Sequence, residues 1–66
     1  MRAFQALLSR PESIARVRAL RRTIEQAGGR VEIEPPSANG MVVVTLWLPP
    51  QYEPGEFFPD MPFYLV

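Results

Sequence analysis

The sequence predicts a small α+β fold: a β-α-β-β layer with one helix packed on an antiparallel hairpin, followed by a proline- and aromatic-rich C-terminal tail. Three observations carry this. Residues 41–48, Met-Val-Val-Val-Thr-Leu-Trp-Leu, hold one hydroxyl among apolar, largely β-branched side chains, between Asn39-Gly40 and Pro49-Pro50. Such a run is a strand buried on both faces. Residues 30–34, Arg-Val-Glu-Ile-Glu, alternate strictly and read as a half-solvated strand. Between them and the N-terminus, Val17, Leu20, Ile24 and Ala27 recur at helical spacing, with Ile14 at the edge of the stripe.

The elements follow in order. Residues 2–8 suit either periodicity: Phe4, Ala6 and Leu8 alternate, while Phe4, Leu7 and Leu8 make a helical stripe. We favour a strand, because it gives the next helix a sheet to cross. Ser9-Arg10-Pro11-Glu12 predicts a helix start, with Ser9 as the cap, Pro11 in the first turn and Glu12 at capping-box spacing. The helix runs over 11–27 and ends at Gly28-Gly29, where glycine takes the left-handed position. Pro35-Pro36 stops the strand that begins at Arg30. Asn39-Gly40 supplies residues that tolerate positive φ, so 30–34 and 41–48 pair as a hairpin. Its Val42/Val44/Leu46/Leu48 face is expected to meet Val17, Leu20 and Ile24. Met41, Val43, Thr45 and Trp47 form the second face. The organisation expected is one α+β domain over 1–50 and a tail over 51–66, lying on this domain or on a partner. Five prolines after residue 48 exclude a regular helix or a central strand from the tail, yet it carries Tyr52, Phe57, Phe58, Phe63, Tyr64, Leu65 and Val66. Those rings need cover, and the Met41/Val43/Thr45/Trp47 face is the site the sequence suggests for them.

Composition narrows the function classes. The 66 residues contain no cysteine, no histidine and no lysine. Disulfides, thiolate and Schiff-base chemistry, Ser-His and Cys-His nucleophiles and the usual zinc ligands are therefore excluded. Glu32 and Glu34 point the same way along a strand, which suits a solvated face better than a catalytic pair. We expect no enzyme activity, no cofactor and no metal. A chain this small buries only about 60% of its unfolded surface, so association is the stabiliser left to it. The zero net charge conceals a division: residues 1–30 hold seven arginines against two glutamates, a net +5, and residues 31–66 hold five acids and no base. The longest apolar run falls short of the roughly 20 residues that span a bilayer, and the patch at 4–8 is no signal-peptide core. A soluble cytoplasmic protein without a membrane span is expected.

Two partner surfaces emerge. The first is apolar: Met41, Val43, Trp47, Tyr52, Phe57, Phe58, Phe63 and Tyr64, the side chains of a small interaction module that binds itself or joins a larger assembly. The second is basic: Arg16, Arg18 and Arg22 on the helix with Arg30 after it, which could contact phosphates of a nucleic acid or another anion. Pro49-Pro50-Gln51-Tyr52 also matches the P-P-x-Y pattern that WW domains bind, and the pattern is short enough to arise by chance.

Residues 24–49, running Ile-Glu-Gln-Ala-Gly-Gly-Arg-Val-Glu-Ile-Glu through the loop to Leu48-Pro49, resemble the closing helix and hairpin of histidine-kinase ATPase domains. The resemblance covers 26 of 66 residues and implies a helix followed by a hairpin. The asparagine-bearing helix and glycine-rich lid of that family have no counterpart in residues 1–23. It therefore implies neither an ATP site nor an activity.

Overall fold

The computed structural model describes residues 1–66. Strand β1 (Arg2–Leu8), helix α1 (Pro11–Gln26), strand β2 (Arg30–Ile33), strand β3 (Val42–Leu48), a 3-10 turn at Pro54–Glu56 and strand β4 (Tyr64–Leu65) follow along the chain. They build one α+β domain around a four-stranded sheet of order β2-β3-β1-β4, antiparallel at each pairing. β3 enters between the two strands that α1 connects, a split β-α-β arrangement. No helix is long and apolar enough to cross a membrane.

β1 is a strand although Ala, Gln and Leu are poor strand formers. Its alternation decides: Phe4, Ala6 and Leu8 face Leu46, Val44 and Val42 across the ladder, and all six are buried. The helix start departs from the expected one. Arg10, not Ser9, is the N-cap, in an extended conformation and with no side-chain cap. Proline at the first helical position drives the residue before it out of the helical region, so the boundary falls at Arg10. Glu12 then stands two places into the helix, where it meets the positive dipole end but closes no capping box with Ser9. The C-terminus follows expectation. Gly28 has φ +92°, its amide donates to Glu25 O (3.0 Å), and the Gly29 amide donates to Ile24 O (2.9 Å). This is a Schellman motif.

Gly29 is needed for a different reason from Gly28. A Cβ there would lie 2.6 Å from the Trp47 carbonyl oxygen and 2.9 Å from Ile24 Cγ2. The helix end and β3 approach too closely for any side chain, and the first obstacle is backbone. Gly29→Ala is expected to lower stability by about 1–3 kcal/mol, the range for overpacking, read as a lowered urea midpoint.

In the hairpin, β2 and β3 pair Arg30 with Trp47, Val31 with Leu46, Glu32 with Thr45 and Ile33 with Val44. Only Gly40 of the connecting loop has positive φ (+82°). Asn39 instead contributes its side-chain oxygen, which together with the Ser37 hydroxyl receives the Met41 amide.

The core lies on one side of the sheet. Val31, Val42, Val44, Leu46, Leu48, Phe4, Ala6 and Leu8 come from the strands, Val17 and Ile24 from the helix, with Leu20 and Ile14 packed at its margin. The last core residue is Phe58, 1% exposed, from the tail. The division expected at residue 50 thus falls inside one fold. After β3 the chain turns back beneath the same side as the helix. Phe57 packs against Tyr52 (centroids 5.7 Å apart) and Phe58 against Phe63 (5.5 Å). Asp60 comes within 3.9 Å of the Arg16 guanidinium on α1, and β4 then pairs with β1. Arg2 holds the start of this return: its guanidinium donates to Tyr52 O (3.0 Å), to Pro50 O (3.3 Å) and to the Glu53 carboxylate (2.9 Å). The tail therefore does not cover the Met41/Val43/Thr45/Trp47 face. It shares the helix side.

Candidate functional site: the open face of the sheet

With helix and tail on one side, the other side of the sheet has no covering layer. Paired residues of antiparallel strands share a face, so the pairings arrange this side as cross-strand rows. The first row is Arg30, Trp47, Ala3 and Val66, the last joined through the Val66 amide to Ala3 O (2.9 Å). The second is Glu32, Thr45, Gln5 and Tyr64. The third is Glu34, Val43 and Leu7, with Glu34 joined through its amide to Val43 O (3.0 Å). Pro62 would stand next in the third row. It has no N–H to offer Leu7, and β4 starts two residues later.

Down the columns the chemistry changes. The β2 column is charged: Arg30, Glu32, Glu34. The β3 and β1 columns are apolar at both ends and polar at the centre, where Gln5 Nε2 donates to the Thr45 hydroxyl (3.2 Å). That bond lets Thr45 be buried (8% exposed) without a lost partner. The β4 column presents Tyr64 (69% exposed) and Val66 (72%), beside Leu7 (56%). Gln5, Leu7, Val43, Tyr64 and Val66 together line a shallow apolar depression, and Met41 adjoins Leu7 at its far rim.

Charge on this face is unevenly satisfied. Arg30 stacks over the Trp47 ring (5.1 Å) and meets Glu32 at 3.3 Å. Glu34, at the opposite end of the same column, has no ion-pair partner; the four ion pairs of the chain are Arg2–Glu53, Arg16–Asp60, Arg21–Glu25 and Arg30–Glu32.

Of the apolar residues singled out from sequence, Met41, Val43, Trp47 and Tyr64 come together here. Tyr52, Phe57, Phe58 and Phe63 lie on the other side, against the core. Ala3, Gln5, Leu7 and Val66 belong to the face and were missed. Alternation in residues 2–8, once read as a strand, places the first three. The arginines are also divided. Arg30 lies on the open face, whereas Arg16, Arg18 and Arg22 lie on α1 across the sheet. Arg16 leans toward Asp60, Arg21 toward Glu25 (3.6 Å) and the Val31 carbonyl (3.2 Å). Arg18 and Arg22 have no ion-pair partner. No three acidic side chains converge as a metal-holding group.

No protein-family model matches the chain, and no curated protein or solved structure is significantly similar to it. Residues 24–49 show the end of a helix followed by a hairpin, the order of elements that the resemblance implied.

Proposed function

We propose that the protein is a non-enzymatic interaction module that docks through the open face of its sheet, as a homo-oligomer or as an accessory subunit of a larger assembly. One observation carries this reading: both covering elements, α1 and the tail, occupy the same side, leaving Leu7, Val43, Trp47, Tyr64 and Val66 on the other. Contiguous exposed apolar surface with a polar margin marks binding surfaces. A domain of this size also gains stability from any partner that binds only its folded form.

The test is site-specific photo-crosslinking in cells. A photoreactive residue in place of Leu7 is expected to capture a protein, and one in place of Ala19, on the solvent side of α1, is expected to capture none. Equal yields from the two positions, or none from Leu7, would end the reading.

Binding of a nucleic acid through Arg18 and Arg22 is the second reading, supported by their lack of ion-pair partners. It requires an affinity that falls steeply with salt and disappears in Arg18→Glu/Arg22→Glu.

A further inference from the structure

We propose that the open face is occupied by a second copy of this chain, turned by 180° about the middle row, so that each strand lies over its own counterpart in reverse. This rests on the docking reading above and specifies its partner.

The way the rows meet decides the orientation. A face-to-face pair has its two-fold axis in the plane between the sheets, which leaves two simple choices. With the axis along the strands, β2 lies over the partner's β4. Arg30, Glu32 and Glu34 then face Tyr64 and Val66, and burying charge against apolar surface costs several kcal/mol. With the axis along the middle row, the first row lies over the partner's third. Arg30 then meets the partner's Glu34, the acid left without an ion pair in its own chain, and the contact occurs twice. Trp47 lies over the partner's Val43, and Ala3, the smallest side chain of the β1 column, lies under the partner's Leu7. Large meets small in the β3 and β1 columns. The middle row meets itself: Gln5 keeps its amide oxygen free for the partner's Gln5, because only its nitrogen is engaged by Thr45. Like-charged Glu32 meets the partner's Glu32, with Arg30 of each chain beside it at 3.3 Å. The second arrangement wins on charge and on volume, and it has the aligned strand directions of packed sheets.

Pairing through sheet edges competes poorly. Arg21 donates to the Val31 carbonyl and blunts the β2 edge, and β4 offers two residues. The face itself is small. Four strands about 4.8 Å apart and seven residues rising about 3.3 Å each give roughly 400 Å² per copy, below the roughly 800 Å² per partner of a standard interface. The dimer is therefore weak and concentration-dependent.

Sedimentation across roughly micromolar to millimolar concentration tests this. The mass is expected to rise from 7.5 kDa to twice that value, with the Trp47 emission shifting alongside. Arg30→Glu and Glu34→Arg are each expected to weaken the dimer about tenfold or more, and the double exchange to restore most of the affinity. Val43→Asp is expected to abolish it. A dimer indifferent to both single reversals, yet lost in Val43→Asp, overturns this arrangement and leaves the docking face standing. A dimer indifferent to Val43→Asp overturns the face as well. A chain that stays at 7.5 kDa throughout overturns the second copy, while a heavier protein captured from Leu7 would still support docking.

Discussion

Phe58→Ala is expected to be the most destabilising truncation in the tail, the one place where a tail side chain is fully buried. Removing a buried phenylalanine costs about 3–5 kcal/mol, and Phe58 is 1% exposed. A domain of 66 residues has about 3–10 kcal/mol of stability in total. One side chain thus removes a third of that stability or all of it. The reason a tail residue matters so much is width. An α-helix with its side chains is about 10–12 Å across, and a four-stranded sheet is about 19 Å wide. One helix cannot roof such a sheet. α1 is tied to β2, through Arg21 on the Val31 carbonyl and the tight turn at Gly29. The tail is tied to β1, through Arg2 and the β4 pairing. Phe58 fills the half that the helix leaves. Circular dichroism and the dispersion of the amide NMR spectrum would measure the loss. Phe58→Leu should recover much of the stability, and Phe57→Ala, at a half-buried position, should cost distinctly less. A Phe58→Ala variant melting within about 1 kcal/mol of the parent would refute this account of the core. Deletion of residues 51–66, by the same reasoning, abolishes folding before it can report on assembly.

Width also separates what was legible in the sequence from what was not. β2 and α1 were legible because each shows one clean period, and β3 because its apolar, β-branched run is unbroken, all three with punctuation at the end: Pro35-Pro36, Gly28-Gly29, Pro49-Pro50. β1 was half-legible. Its alternation is correct, but Ala3, Gln5, Ala6 and Leu7 have no strand propensity of their own and are held extended by β3 on one side and β4 on the other. β4 could not be read at all. Two paired residues after Pro62 leave no periodic trace, and their extended form comes from the ladder to Phe4 and Gln5. The helix cap was misplaced because the capping-box spacing from Ser9 ignores what Pro11 does to Arg10. For the candidate site, periodicity gave the correct partition of β3 into two apolar faces. It could not tell which face the tail would cover, since that depends on how much of the sheet one helix leaves bare. Periodicity places Met41, Val43 and Trp47 on the face that the helix does not cover; laying Phe57, Phe58 and Phe63 on that same face was the error, since the sequence carries no measure of how much of the other face the helix leaves bare. Leu7 and Val66 were missed because their membership follows from strands that were uncertain or invisible.

The partition of β3 leads to the second large effect, which sets two adjacent residues against each other. Val43→Asp and Val44→Asp are the same substitution one place apart on one strand. Val44 is fully buried beneath α1 and the tail, opposite Ala6 and Ile33. An aspartate there is either ionised in an apolar site or forced to take up a proton, and both cost several kcal/mol, enough to unfold a domain this small. Val43 is half-buried on the open face, beside Leu7 and the solvated Glu34. An aspartate there can turn to water. The monomer should lose no more than about 1 kcal/mol. What it should lose is association, because a charge set against the apolar partner surface, where Trp47 of the second copy would lie, is left without a partner in the complex. Urea denaturation read at low concentration, with sedimentation at high concentration, separates the two quantities. Val44→Asp should fail in the first measurement. Val43→Asp should pass it and fail in the second. If both variants unfold alike, the Val43 side carries the monomer's own core and is no docking face. If both fold, the Val44 side is not the closed core. The side chain's position in a two-residue repeat decides whether a charge there destroys a fold or only dissolves a contact.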